Sequence, residues 1–118
     1  MNAVKLTALL QLLVYHGYVI TSTLAHDKPI IGVLSQKTDE EKAFYGNTYI
    51  AASYVKFLES SGARVVPILV NQSNSYYQHL FNSINGALLP GGDVDMKTSG
   101  YGKAAKIIYD LAVQVNTM

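Results

Sequence analysis

The sequence has 118 residues, of which 49% are hydrophobic and 14% are charged, and this composition predicts one small globular unit. Nine basic and eight acidic side chains give a formal net charge of +1. They form no dense positive segment, so nucleic-acid binding is not expected. The sequence contains no cysteine, which excludes a disulfide framework, a zinc-thiolate site and a thiol nucleophile within these 118 residues.

The first 25 residues have the pattern of a secretory signal peptide. Lys5 precedes a mostly apolar stretch over 6–20, and Thr23, Leu24 and Ala25 offer a small-residue cleavage site. A membrane-spanning helix needs roughly 20 apolar residues, more than this stretch supplies. We therefore expect cleavage after Ala25, a mature domain over 26–118 and no stable membrane anchor.

A second feature points to the same pathway. Asn71, Gln72 and Ser73 form an N-glycosylation sequon within a polar stretch. Glycans are attached to such sequons in proteins that enter the secretory pathway. Asn71 is therefore predicted to be a glycosylation site.

Hydrophobic patterns along the rest of the chain alternate between strand and helix. Continuous apolar runs predict buried parallel strands, and apolar residues three or four positions apart predict amphipathic helices. The predicted elements are a strand over 29–35, a helix capped by Asn47 and ended by Gly62, a strand over 64–70, a helix over 77–84, a strand over 87–89 and a helix over 101–115. This order predicts an α/β fold, the first half of a doubly wound parallel-sheet domain with about three strands and three helices. Pro67 lacks an N–H for the sheet and predicts an edge or near-edge position for the second strand.

The loop after the third predicted strand is a candidate site. In open α/β sheets, ligands bind beyond the carboxyl ends of the strands, and Pro90, Gly91 and Gly92 stand at such an end. Consecutive glycines either make a plain tight turn or expose backbone N–H groups to a ligand, as in an oxyanion hole. Tyr54 similarly fits a core position or a ligand contact.

Other candidate residues favour structural roles. Asp93 and Asp95 are interpreted as turn-forming residues rather than a carboxylate pair, and none of the three histidines stands where a general base is needed. The segment over 100–103 lacks the spacing of a phosphate-binding loop. We therefore expect neither a metal nor a cofactor. Gly100 and Gly102 are expected to weaken the last helix by about 1 kcal/mol each relative to alanine.

Three segments, 29–37, 49–68 and 83–95, closely resemble the opening of gamma-glutamyl hydrolases, and the likeness covers about residues 28–116. It implies a class I glutamine amidotransferase-like, flavodoxin-like fold. It also implies a cysteine hydrolase that cleaves gamma-linked glutamates from folylpoly-gamma-glutamates, with a secreted, lysosomal or vacuolar location. Homodimers of the full-length members are a further expectation.

Residue by residue, Gly91 and Gly92 match the glycine pair of the family's oxyanion loop, and Tyr54 matches a tyrosine that lines its active site. The elbow cysteine and its histidine partner match no residue here, so the resemblance implies an amino-terminal portion that is inactive alone.

The alternative is a non-catalytic secreted binding or interaction module. A flavodoxin-like mononucleotide binder is a third reading, but no phosphate-binding loop follows Ser35.

Overall fold

The computed structural model describes residues 28–117. The signal peptide expected over 1–25 and its cleavage point lie outside this range and remain predictions. Within the described range, no helix combines the length and apolar character needed to cross a membrane.

Short strands and helices alternate along the described chain. The strands are β1 (Ile30–Leu34), β2 (Gln36–Lys37), β3 (Thr48–Tyr49), β4 (Arg64–Ile68) and β5 (Gly86–Leu88). The helices are α1 (Ala52–Ser60), α2 (Asn74–Phe81) and α3 (Gly100–Asn116), and a 3-10 helix spans Glu40–Tyr45. The α/β class is thus confirmed.

Three of these strands form one parallel sheet in the order β4-β1-β5. The central strand β1 is the most deeply buried, with Val33 and Leu34 at 0% and 1% exposure. Pro67 pairs in register with Val33 and lies on β4, which has β1 as its partner in the sheet. Within residues 28–117, β4 has no strand on its other side, which confirms the edge position predicted for the strand that contains Pro67.

The start of the first helix differs from the prediction. Thr48 and Tyr49 pair with β2 in a small antiparallel sheet, so the chain there is extended. Helix α1 begins at Ala52, and its N-cap Ala51 makes no side-chain hydrogen bond. The prediction that Asn47 caps this helix is therefore wrong. Gly62 has a φ of 88°, which confirms the left-handed glycine expected just beyond the helix.

The core lies where α2 and α3 pack with the sheet. Its buried members come from β1, β4 and the two helices, and include Leu34, Ile68, Tyr77, Tyr101 and Ile108. The apolar face predicted for the last helix is confirmed at its amino-terminal half, whereas Val115 near its end is 61% exposed. Burial of this face anchors the loop that precedes α3.

Close packing explains the glycines at the start of α3. A β-carbon on Gly102 would fall below 3.0 Å from the Met96 carbonyl oxygen, a separation that real β-carbons essentially never show. A β-carbon on Gly100 would overlap with the Asn71 side chain in the same way. The weak helix propensity expected for both positions is thus offset by the close approach that glycine permits.

Candidate active site

The glycine loop follows β5 and borders a cavity of about 170 Å³. The cavity lies near the carboxyl ends of β1 and β5, where parallel sheets place their ligands. Its lining residues are Leu34, Gln36, Tyr49, Ile50, Ala51, Tyr54, Pro90, Gly91, Gly92 and Asp93. The structure therefore brings together the three residues singled out in the sequence, Gly91, Gly92 and Tyr54.

Gln36 connects the glycine loop to the small sheet. Its side-chain amide Nε2 donates a hydrogen bond of 3.0 Å to the Gly91 carbonyl oxygen. Its Oε1 accepts a hydrogen bond of 2.9 Å from the Tyr49 hydroxyl, and the two residues face each other across the β2–β3 pair. The side chain is 8% exposed, so both bonds satisfy polar atoms that are largely removed from water.

The two glycines differ in their surroundings. A β-carbon on Gly92 would fall below 3.0 Å from the Gln36 amide, whereas one on Gly91 would meet nothing within 4 Å. Neither has a positive φ in the described chain. A side chain at position 92 would therefore displace the Gln36 amide, so glycine is favoured here by its close approach to Gln36 and not by a left-handed backbone.

Two tyrosines flank the loop. Tyr101, buried on α3, donates a hydrogen bond from its hydroxyl to the Pro90 carbonyl oxygen. Burial, and secondarily the neighbouring Tyr54 phenol, raise the pKa of Tyr101 above the ordinary tyrosine value. Tyr54 is half-buried on α1 and lines the cavity. The loop is thus held by the hydrogen bond from Tyr101 to Pro90 and by the one from Gln36 to Gly91.

The acids near the loop have separate roles. Asp95 accepts backbone hydrogen bonds from Thr98 and Lys97 at 2.9 and 2.7 Å, and these bonds lower the pKa of its carboxyl group. This geometry is that of a turn-forming residue, as its pattern predicts. Asp93 is exposed and lines the cavity. Across residues 28–117, no three His, Asp or Glu side chains converge as metal ligands would.

Asn71 lies apart from the glycine loop. It has a φ of 59°, is exposed, and lines a second cavity of about 690 Å³ between the end of β4 and the segment around the 3-10 helix. This cavity is larger, but neither the two glycines nor Tyr54 line it. We therefore place the candidate active site at the smaller cavity.

Gln36 and Tyr49 were not singled out from the sequence. A signal for Gln36 was present, since it is a polar residue directly after a buried strand, at the edge of the sheet where ligands bind. Its hydrogen bond spans 55 positions of the chain, so no local pattern reveals it. Tyr49 was assigned to a helix, and only its pairing with β2 brings its hydroxyl to Gln36.

Comparison with known proteins identifies the family. A model of the peptidase C26 family matches residues 29–112. The chain is 56% identical over 88 residues to the gamma-glutamyl hydrolase of Homo sapiens, covering 74% of this chain and 28% of that protein. It is 53% identical over 88 residues to the enzyme of Bos taurus, covering 74% and 28%, and 47% identical over 93 residues to gamma-glutamyl hydrolase B of Dictyostelium discoideum, covering 77% and 27%. The chain thus spans about a quarter of the length of these relatives.

The matched segment contains every element of the parallel sheet and the glycine loop. Its three parallel strands and packed helices are those of the first half of a flavodoxin-like, class I glutamine amidotransferase-like domain. The chain therefore belongs to the peptidase C26 family, together with the gamma-glutamyl hydrolases.

Proposed function

We propose that this chain forms the oxyanion-loop side of a gamma-glutamyl hydrolase active site. In this proposal Gly91 and Gly92 face the gamma-amide carbonyl of a folylpoly-gamma-glutamate, and Tyr54 lines the site. The observation that carries the proposal is that these three residues border one cavity at the carboxyl ends of the strands. The relatives' shared name, gamma-glutamyl hydrolase, supports a gamma-glutamyl linkage as the bond that is cleaved.

The chemistry of the cavity suits an amide more than a carboxylate. Its side-chain polar groups are the Gln36 amide, the Tyr49 and Tyr54 hydroxyls and the Asp93 carboxyl, and no lysine or arginine is among its lining residues. A negative charge at Asp93 disfavours the free carboxylates of a polyglutamate tail. The cavity therefore receives the uncharged gamma-amide, and the tail carboxylates lie outside it.

Hydrolysis also needs a nucleophile. Resemblance to the family implies a cysteine activated by a histidine, and this sequence of 118 residues has no cysteine. The cavity of about 170 Å³ is also smaller than the roughly 300–1,000 Å³ typical of ligand pockets. Both observations support a partial site that is inactive alone, with the remaining walls and the thiol supplied from outside these residues.

Passage through the secretory pathway is part of the proposal. It is supported by the apolar stretch over 6–20 and by the exposed sequon residue Asn71. The proposed location is secreted, lysosomal or vacuolar, and full-length members are proposed to form homodimers. Expression in a secreting eukaryotic cell tests the pathway, because an endoglycosidase should lower the mass of the chain and Asn71→Gln should abolish that change. An Asn71 that carries no glycan in secreted material would refute this part.

The binding proposal is tested by NMR on the ¹⁵N-labelled 118-residue chain. Addition of pteroylpenta-gamma-glutamate should move the amide resonances of Gly91 and Gly92. The amides of Gly46 and Gly62, which lie outside the cavity lining, serve as internal controls. An alpha-linked pentaglutamate of the same charge should give smaller shifts. Shifts that cluster at Asn71 and Gln72 instead would move the binding site to the larger cavity and overturn the proposal.

A non-catalytic binding module is the alternative function. It shares the cavity and the expected binding but requires no nucleophile. The two are separated by adding the carboxyl-terminal portion of the human relative to this chain. Release of glutamate that depends on both parts supports the hydrolase site. Binding by this chain with no release from the mixture favours the module.

A further inference from the structure

The hydrogen bond from Gln36 fixes more than the position of one carbonyl group. A trans peptide unit is planar, and its C=O and N–H point in opposite directions. The described chain has no cis peptide bond, so this rule applies to the unit between Gly91 and Gly92. Because the Gly91 carbonyl points at the Gln36 amide, the N–H of Gly92 points away from it.

Without that bond the peptide unit would have considerable freedom. Both of its residues are glycines, which accept a wide range of φ and ψ at little steric cost. Both are also exposed. Within the described residues, the hydrogen bond to this carbonyl comes from Gln36, which is 8% exposed and lies on a paired strand. The rigid partner in the contact is therefore Gln36.

The Gly91 carbonyl determines which end of the Gln36 amide faces the loop, and the Tyr49 hydroxyl holds the other end. An amide has a donor end and an acceptor end of nearly equal shape. The Tyr49 hydroxyl donates to Oε1, which leaves Nε2 directed at the Gly91 carbonyl. If the amide turned over, its oxygen would meet the Gly91 carbonyl oxygen, and both are acceptors only, whereas the Tyr49 hydroxyl can donate or accept.

We propose that Gln36, held by Tyr49, is a positioning residue that holds the Gly91–Gly92 peptide unit in one orientation and thereby makes the Gly92 N–H the oxyanion donor of this loop. The inference rests on the proposed function, since an oxyanion donor needs a carbonyl substrate. It also distinguishes between the two glycines, and it gives a role to Gln36, a residue that does not touch the reacting atoms. A preorganised donor stabilises developing negative charge without rearranging during the reaction.

The competing explanation is that Gln36 only fills space against Gly92. Gln36→Glu separates the two, because the side chain keeps its size but a carboxylate cannot donate to the Gly91 carbonyl. Protonation restores an O–H donor. A free glutamate has a pKa of about 4.3, and low exposure raises it. Acidification should therefore rescue the loop of the variant, whereas a space-filling role gives no dependence on pH.

The experiment follows the Gly92 amide resonance in ¹⁵N-labelled 118-residue chains between pH 7.5 and pH 3.5. In Gln36→Glu the resonance should be displaced from its wild-type position at pH 7.5 and should return towards it on acidification. Asp93, a second carboxyl group, also lines the cavity, so the wild-type chain is followed over the same pH range in parallel. A variant resonance that matches the wild type at pH 7.5, or that is displaced equally at both pH values, overturns the proposal.

Tyr49→Phe supplies a second test that leaves the buried Gln36 side chain itself unchanged. Tyr49 is 39% exposed, so loss of its hydroxyl leaves the core intact. The Oε1 end of the Gln36 amide then loses its partner and the side chain should become more mobile, so the Gly92 resonance should broaden or shift while that of Gly62 does not. An unchanged Gly92 resonance would contradict the role given to Tyr49. If the pH rescue is seen but pteroylpenta-gamma-glutamate moves no resonance, the orienting contact stands and the proposed function falls.

Discussion

The Tyr101 hydroxyl on α3 donates a hydrogen bond to the Pro90 carbonyl oxygen at the end of the third parallel strand. Both residues are buried, Tyr101 at 5% exposure. This bond joins α3 to the residue directly before Gly91. The stability of α3 and the position of the glycine loop are therefore coupled.

Removal of the Tyr101 hydroxyl should weaken the fold at this point. Tyr101→Phe leaves the Pro90 carbonyl unpaired, which should lower the free energy of unfolding by about 1–2 kcal/mol. Urea denaturation measures the change. Tyr109→Phe on the same helix is the matched control, because Tyr109 is 65% exposed and its loss of a hydroxyl should have little effect. Equal effects of the two variants would contradict the coupling.

Gly102 should be intolerant of alanine. In an exposed helix Gly→Ala stabilises by about 1 kcal/mol. Here the added methyl group would overlap with the Met96 carbonyl oxygen, so Gly102→Ala should instead destabilise by about 1–3 kcal/mol. Gly100→Ala should cost less, because its neighbour is the end of the Asn71 side chain, which can move. A stabilising Gly102→Ala in thermal or urea unfolding would refute the close approach.

Ser35 should tolerate removal of its hydroxyl. It is 1% exposed, and its Oγ has no hydrogen-bond partner among residues 28–117. Ser35→Ala should therefore raise the free energy of unfolding by about 1 kcal/mol, since it removes an unsatisfied buried group. Ser73→Ala is the contrasting control. The Ser73 hydroxyl caps α2 by accepting from Tyr76, and its loss should cost about 1 kcal/mol.

Alkaline pH should destabilise the chain through buried phenols. Burial raises the pKa of Tyr77 and Tyr101 above the ordinary value of 10.0. In the unfolded chain these phenols ionise first, so the unfolded state binds fewer protons in this range. Their contribution to stability is complete below pH 10 and is lost as the pH rises through the folded-state pKa values. Urea midpoints measured from pH 8 to pH 11 check this, and Tyr101→Phe should make the decline shallower; an identical slope would argue against it.

Sequence patterns predicted the features that depend on neighbouring residues. The apolar periodicity from Tyr101 to Ile108 gave the buried face of α3, and Gly62 marked the end of α1, because both depend on local backbone geometry. Asn47 was misassigned as a cap since the extended backbone beyond it is set by pairing with β2. A helical spacing of apolar residues cannot report a distant strand partner.

Only part of the candidate site could be predicted, because some of its contacts join residues that are far apart in the sequence. Gly91, Gly92 and Tyr54 were found through a glycine pair at a strand end and a family resemblance. Gln36 was not, because its importance comes from an approach across 55 positions that only the fold creates. The same close approach explains why position 92 is glycine. The sequence pattern suggested a need for backbone freedom, whereas in the fold a side chain there would overlap with the Gln36 amide.

The central claim is that these residues hold the substrate-facing loop of a gamma-glutamyl hydrolase site without its nucleophile. The most direct measurement is glutamate release from pteroylpenta-gamma-glutamate by the purified 118-residue chain, with the human relative as the positive control. The account predicts release no faster than in protein-free buffer, because the sequence contains no thiol. Steady release that scales with the concentration of the chain and persists through further purification would contradict it.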